Sequence, residues 1–248
     1  MKLKDMSETI HGYSGKGRAS FSFRRHNAAL EIEIGGIREK LPEGLASNLG
    51  WIMCYALATA LERFGGLDFG ALGKSKLGLR EEGANIIAGL PVADVMLLVW
   101  RRVMAKTRGK IPVKTACQCG EPITSASLGD MEVAGAEAVE FVEVEEEVMV
   151  SGNKSKKVPI MVPSFREVYC LMTEAEINNP AARVFRAVEA STPVSHESLM
   201  DMHTADFLDL ARAVDAVSGG PCNAVDVACP KCGRDTTISL NWQECGFF

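Results

Sequence analysis

Hydrophobic and polar residues alternate in several short stretches of the chain, and this period of two predicts half-buried β-strands. Between residues 28 and 34, the side chains of Leu30, Ile32 and Ile34 share one face. Between residues 140 and 150, valines at even positions share one face, and the stretch is rich in glutamate. Further strands are predicted at residues 111–116, 123–128, 158–162, 224–228 and 236–240.

Longer apolar stretches bounded by capping and breaking residues predict helices. Ser47 or Asn48 can cap a helix over residues 45–64, which Gly65 and Gly66 end. Ser164 begins another helix, with the capping-box residue Glu167 three positions later. Helices are also predicted at residues 81–87, 91–106, 181–190 and 203–217. Strands and helices in this order indicate an α+β protein.

Two cysteine turns stand between predicted strands and carry the chemistry of the chain. The first contains Cys117 and Cys119 in a CxC pattern, and the second contains Cys229 and Cys232 in a CxxC pattern. Each turn supplies two thiols, whereas structural Zn²⁺ usually takes four ligands. The simplest hypothesis is that one structural Zn²⁺ joins all four cysteines in a zinc-ribbon-like Cys₄ site.

The other interpretations of these cysteines are thiols buried in the core, disulfides and a redox CxxC. The chain contains 8 cysteines, but its first residues lack the apolar stretch of an export signal. A reducing cytoplasm favours metal binding over disulfides. A redox CxxC normally begins a helix, and here the flanks are strands. Cys222 and Cys245 are alternative ligands if the tight CxC cannot close the site.

An internal repeat explains why the four cysteines come in two pairs. Gly36 and Gly152 are separated by the same interval as Cys54 and Cys170. At a slightly shorter interval, Ala93-Asp94 matches Ala205-Asp206, and the first cysteine turn matches the second. We therefore predict two tandem pseudo-symmetric halves, residues 21–135 and 136–248, that pack as one unit behind a mobile arm of residues 1–20.

Two matched aspartates, Asp94 and Asp206, fall in the first turns of equivalent predicted helices. Paired carboxylates can serve acid–base catalysis. Placement near the positive end of the helix dipole explains them without any catalysis. Four sulfur ligands would also close the metal site, whereas a catalytic zinc keeps one position open. We therefore expect no enzymatic activity.

The charge pattern argues against nucleic acid as the main partner. The formal net charge is −5, aromatic residues make up 6% of the chain, and basic residues occur only in short clusters. Nucleic-acid-binding proteins usually present a basic face or stacked aromatic residues. The apolar stretch of residues 51–61 is too short to span a bilayer, so no membrane partner is expected either.

One stretch of the chain reads Leu90-Pro-Val-Ala-Asp-Val-Met-Leu-Leu-Val-Trp-Arg-Arg, and it is followed by Cys117-Gln-Cys-Gly and a strand to Leu128. This stretch resembles phage baseplate and tail-assembly proteins of the T4 type. The second half, with Asp206, Cys229-Pro-Lys-Cys-Gly and a terminal Phe247-Phe248, is similar. The resemblance covers residues 90–248, and the CxC departs from the usual CxxC. It implies a non-catalytic protein of the contractile tail.

From the cysteine sites and this resemblance we predict a zinc-stabilised protein–protein interaction module in baseplate assembly. It would act in the bacterial host cytoplasm, either as an assembly chaperone or as a subunit of the virion baseplate. Phe247 and Phe248 are candidate contacts with other tail or baseplate proteins. The alternative is a zinc-ribbon regulator that binds nucleic acid or the transcription machinery, through basic residues such as Lys231 and Arg234.

Overall fold

A computed structural model describes residues 9–12, 17–240 and 247. The part of the chain that precedes residue 135 alternates short strands with helices. Its elements are β1 (Thr9–Gly12), β2 (Gly17–Phe23), α1 (Ala28–Gly35), α2 (Ile37–Lys40), α3 (Glu43–Ala46), α4 (Leu49–Ala60), β3 (Leu61–Phe64), β4 (Leu67–Asp68), α5 (Glu81–Ala88), α6 (Val92–Thr107), β5 (Lys110–Ala116), β6 (Pro122–Ser127) and β7 (Val133–Ala134).

The remaining part begins with a long hairpin and ends with a short one, and helices lie between them. Its elements are β8 (Phe141–Val150), β9 (Asn153–Pro159), α7 (Phe165–Val168), α8 (Glu174–Ile177), α9 (Pro180–Ser191), α10 (His196–Asp201), α11 (Thr204–Ser218), β10 (Gly220–Pro221), β11 (Ala224–Ala228) and β12 (Asp235–Ser239). The expectation of a mixed α+β protein is therefore confirmed.

The strand pairs in the described part of the chain are antiparallel, and most of them are local hairpins. Strands β1 to β4 form one sheet in sequence order, and β5–β6, β8–β9 and β11–β12 form separate two-stranded sheets. Residues 9–12 and 17–20 of the predicted arm lie in the β1–β2 hairpin, and the rest of that arm lies outside the described residues. Strand β10 pairs with β7, which joins the two parts of the chain.

Two hydrophobic cores hold these elements, and the first draws on both parts of the chain. Helix α4 is buried along nearly its whole length, and α6 places the fully buried Trp100 beside it. Phe165, Ile238 and Phe247 from the second part complete this core. The second core is built from β8, β9 and the helices α9 to α11. Packing of the first part therefore depends on residues that come after position 160.

The stretch 28–34 was predicted to be a strand, and this prediction is wrong, because it forms helix α1. Leu30 and Ile34 are both buried, but Ile32 is 75% exposed. A spacing of four residues fits one face of a helix as well as one face of a strand. The side chain of Asn27 decides between them, since it accepts a hydrogen bond from the Leu30 backbone N–H and caps the helix.

Other boundaries also differ from the sequence prediction. The predicted helix at 45–64 is divided into α3 and α4, and its end becomes strand β3. The break falls where Asn48 caps α4 by accepting a hydrogen bond from the Trp51 backbone N–H. The strand predicted at 158–162 ends at Pro159 and begins earlier, at Asn153.

A close backbone approach connects α4 to the segment after α7. Gly50 lies so near this segment that a Cβ atom there would be 2.5 Å from the carbonyl oxygen of Tyr169. The Asn48 side chain donates hydrogen bonds to the carbonyl oxygens of Cys170 and Met172, at 2.8 and 3.3 Å. Glycine at position 50 therefore allows the two parts of the chain to touch through their backbones.

Replacement of Gly50 by alanine is expected to lower the free energy of unfolding by about 1–3 kcal/mol, because the new methyl group meets rigid backbone atoms. Gly44→Ala is the matched control, since a Cβ there has no neighbour within 4 Å and alanine favours the helix. Thermal or chemical denaturation measures both variants. Equal stability of the two variants would contradict the short distance between position 50 and the backbone of Tyr169.

Candidate metal centre

Two β-hairpins carry the cysteine turns, and the structure brings their tips together. Strands β5 and β6 lead into and out of the turn at Cys117 and Cys119, and β11 and β12 do the same for Cys229 and Cys232. The four Sγ atoms all lie within 4.8 Å of one another. Cysteines separated by more than a hundred residues therefore form one compact cluster.

The spacing of the sulfur atoms suits a tetrahedral metal ion. Sγ of Cys117 lies 3.7 Å from Sγ of Cys232, and Sγ of Cys119 lies 3.7 Å from Sγ of Cys229. Around a tetrahedral Zn²⁺ with Zn–S bonds of about 2.3 Å, neighbouring sulfurs lie about 3.8 Å apart. A disulfide would require about 2.05 Å, and all four cysteines are free. The cluster could therefore hold a metal ion.

The two turns close in the same way although their spacings differ. In the first, the Gly120 backbone N–H donates to the carbonyl oxygen of Cys117 at 2.8 Å. In the second, the Gly233 N–H donates to the carbonyl oxygen of Cys229 at 2.9 Å. Both glycines have a positive φ, 85° and 71°, which other residues rarely adopt. The extra residue of the CxxC turn widens the loop without changing these closing contacts.

Each turn contributes one buried and one exposed cysteine. Cys117 and Cys229 are buried, and Cys119 and Cys232 are exposed. A hydrogen bond from the Cys119 backbone N–H, together with the neighbouring thiols, lowers the pKa of Cys117 to about 6. The Glu121 N–H also favours the Cys119 thiolate, but desolvation and the surrounding sulfurs raise the pKa of Cys119 to about 12. A divalent cation would relieve this conflict, because metal-bound thiols are deprotonated.

Polar contacts beside the cysteines also connect the two turns. The Arg234 guanidinium donates to Oε1 of Gln118 at 2.5 Å, and Nζ of Lys231 lies 3.9 Å from Oε2 of Glu121. The sequence pattern does not indicate that Gln118 or Glu121 belongs to the site. Their position inside the first turn is the one signal that could have suggested contact with the second turn.

The other described cysteines do not belong to this cluster. Cys222 is exposed and does not belong to the four-sulfur group, and Cys245 lies outside the described residues. Sγ of Cys54 is 3.8 Å from Sγ of Cys170, and both residues are buried. Burial raises the pKa of the Cys54 thiol, which keeps it protonated. Cys54 lies inside α4, and Cys170 lies in the turn just after α7.

The C-terminal aromatic residue that we predicted as a partner contact is packed inside the chain. Phe247 is fully buried, and the guanidinium of Arg102 lies 5.5 Å from the centre of its ring. Arg102 in turn donates a hydrogen bond to Glu31 at 3.0 Å. Phe248 lies outside the described residues. Contact with a partner through Phe247 would require this ring to leave the core.

No protein-family model, curated protein or solved structure matches the chain. Among the described residues, no helix combines the length and the apolar character needed to cross a membrane.

Proposed function

We propose that Cys117, Cys119, Cys229 and Cys232 hold one structural Zn²⁺ that clamps the two parts of the chain together. The observation that carries this proposal is the pair of 3.7 Å sulfur distances across the two hairpins. Four thiolates suit zinc and leave no open position for a substrate. The role of such a site is mechanical, because metal binding contributes directly to the free energy of folding.

We also propose that the two parts are copies of one ancestral unit. In each part, a four-residue helix precedes a twelve-residue helix, α3 before α4 and α8 before α9. The side chains of Asn48 and Asn179 cap the two longer helices. This alignment replaces the match of Cys54 with Cys170, because Cys54 lies inside α4 and Cys170 lies before α8. The later helices α6 and α11 carry Asp94 and Asp206 in their first turns and lead to the cysteine hairpins. This order supports a duplication in which each copy supplies half of a metal site.

A zinc-clamped rigid body of this kind suits a non-catalytic assembly role. The resemblance of residues 90–248 to T4-type tail proteins favours a subunit or assembly chaperone of the contractile tail baseplate. Phe247 is buried, so partner contacts would use other surfaces, such as the glutamates of β8. Nucleic-acid binding has less support, since Lys231 and Arg234 at the cysteine turns already contact Glu121 and Gln118.

Metal analysis of the purified full chain tests the clamp. We expect about one zinc ion per chain and an X-ray absorption spectrum typical of four sulfur ligands at about 2.3 Å. Two zinc ions per chain, or an absence of metal with four titratable thiols, would reject the shared site. Oxygen or nitrogen in the first coordination shell would support an open, catalytic centre instead.

The assembly role is tested by binding. The purified chain should bind tail or baseplate proteins encoded beside it in the same genome, and a duplex DNA probe at low salt should show no binding. If the duplex bound with an affinity that fell steeply as salt was raised, phosphate contacts would be indicated. That result, with no binding to tail proteins, would favour the alternative function of a zinc-ribbon regulator that binds nucleic acid.

A further inference from the structure

A groove of about 590 Å³ lies where α6, α9 and α11 meet, and none of the four clustered cysteines lines it. Its apolar lining is buried at the bottom and exposed at the rim. Val184 of α9 and Leu208 of α11 are 43% and 47% exposed there. Buried lining residues are Met96, Val168, Val188 and Val214. Exposed apolar side chains that border a concave apolar surface indicate a docking site.

Three charged side chains line the same groove. Arg183 lies on α9, and Arg212 and Asp215 lie on α11. Residues three positions apart share one face of a helix, so α11 presents both signs of charge to an incoming molecule. Arg212 now pairs with Asp209 at 2.8 Å, in a contact where both side chains are largely exposed. Such surface pairs are weak, and the guanidinium can exchange partners on docking.

We propose that a second copy of this chain occupies the groove, with α9 and α11 of the two copies packed across a twofold axis. In an antiparallel pairing of two α11 helices, Arg212 of each copy meets Asp215 of the other. A twofold interface satisfies such a pair twice, since each contact occurs in both directions. An acidic peptide from another protein would match the two arginines but would place like charge against Asp215. The charge pattern therefore favours self-association over an acidic partner.

The groove contains none of the four clustered cysteines, and self-association through it goes beyond the zinc clamp and the tail-assembly role. Dimerisation would cover Val184 and Leu208 at the rim of the groove.

Light scattering coupled to size-exclusion chromatography, and sedimentation over a wide range of concentration, test the proposal on the full chain. We expect the unmodified protein to be a dimer. Leu208→Asp should raise the dissociation constant of the dimer by about thirtyfold or more, as for a central apolar contact. Met200→Asp is the matched control, because Met200 is 64% exposed on α10 and does not line the groove. It should leave the dimer intact.

A charge exchange tests the register of the two helices. Arg212→Asp and Asp215→Arg should each weaken the dimer, and the variant carrying both should recover most of the lost affinity. Melting temperatures separate weaker association from misfolding. A monomer at every concentration, an oligomer larger than a dimer, a dimer that survives Leu208→Asp, or a double variant no better than the single ones would overturn the proposal.

Discussion

Replacement of Cys229 by serine is expected to release the proposed zinc ion and to lower the free energy of unfolding of the whole chain by about 3 kcal/mol or more. The binding free energy of structural zinc, about 10–16 kcal/mol in small domains, adds to the free energy of folding. Sγ of Cys229 lies 3.7 Å from Sγ of Cys119 in the other hairpin, so its loss opens the connection between the two parts. Metal content and melting temperature report the two effects.

Hydrogen exchange shows where stability is lost after this substitution. Protection should fall together in α4 and α11 if the proposed zinc ion connects the two parts that contain them. Cys222→Ser is the matched control, since Cys222 is exposed and lies outside the four-sulfur group. It should retain about one metal ion per chain. Loss of protection confined to α11 and β11 would show that the cysteines do not clamp the two parts.

Replacement of Asp94 by asparagine is expected to raise the free energy of unfolding by about 2–4 kcal/mol well above pH 7. Asp94 is 4% exposed, and burial raises its pKa from 3.8 to about 7. Among the residues that the structure describes, none forms an ion pair or hydrogen bond with this carboxylate. Keeping it charged therefore costs free energy, which a neutral amide of the same shape avoids.

The sign of the pH dependence follows from the raised pKa of Asp94. Between about pH 4 and pH 7, the folded chain keeps a proton on this carboxyl group that the unfolded chain releases. The stability contributed by Asp94 is therefore fully present below pH 4 and is lost as the pH rises to 7. Asp94→Asn should remove this slope. Denaturation curves across this pH range measure it, and an unchanged slope would contradict the burial of the carboxylate.

Asp206 occupies the same position in α11 and should respond in the opposite way. Its carboxylate accepts hydrogen bonds from the Glu145 backbone N–H at 3.0 and 3.2 Å. A hydrogen bond to a charged group contributes about 1.5–3 kcal/mol, and an amide retains only part of it. Asp206→Asn should therefore destabilise the chain. Stabilisation by both substitutions would show that the two aspartates lie in equivalent surroundings.

The cysteine cluster could be predicted from the sequence because its signal is local. Two cysteines close together in the sequence, a following glycine and flanking strands each constrain one turn. Predicting that the two turns meet required a further hypothesis, namely that each turn supplies half of one four-cysteine site. The contacts of Gln118 and Glu121 with the second turn could not be predicted, because they depend on how the two hairpins face each other.

The fold shows where sequence patterns become ambiguous. In the stretch 28–34, buried positions four residues apart fit both the period of a helix and the period of a strand. The side chain of Asn27 caps the helix and so selects it. Gly36 and Gly152, which the repeat interval makes equivalent, lie between two helices and in a hairpin turn. The groove had no sequence signal, since Val184 and Leu208 resemble ordinary core positions until α9 and α11 are packed.

The shared first core has a consequence for the biosynthesis of the protein. Leu30 and Trp100 leave the ribosome long before Phe247, yet all three side chains pack in one core. Through most of translation, the apolar surface of α4 therefore lacks some of the side chains that pack with it in the folded chain. Contacts between distant residues slow folding, and exposed apolar surface promotes aggregation in the meantime. We expect newly made chains to depend on chaperones until the second cysteine hairpin has emerged.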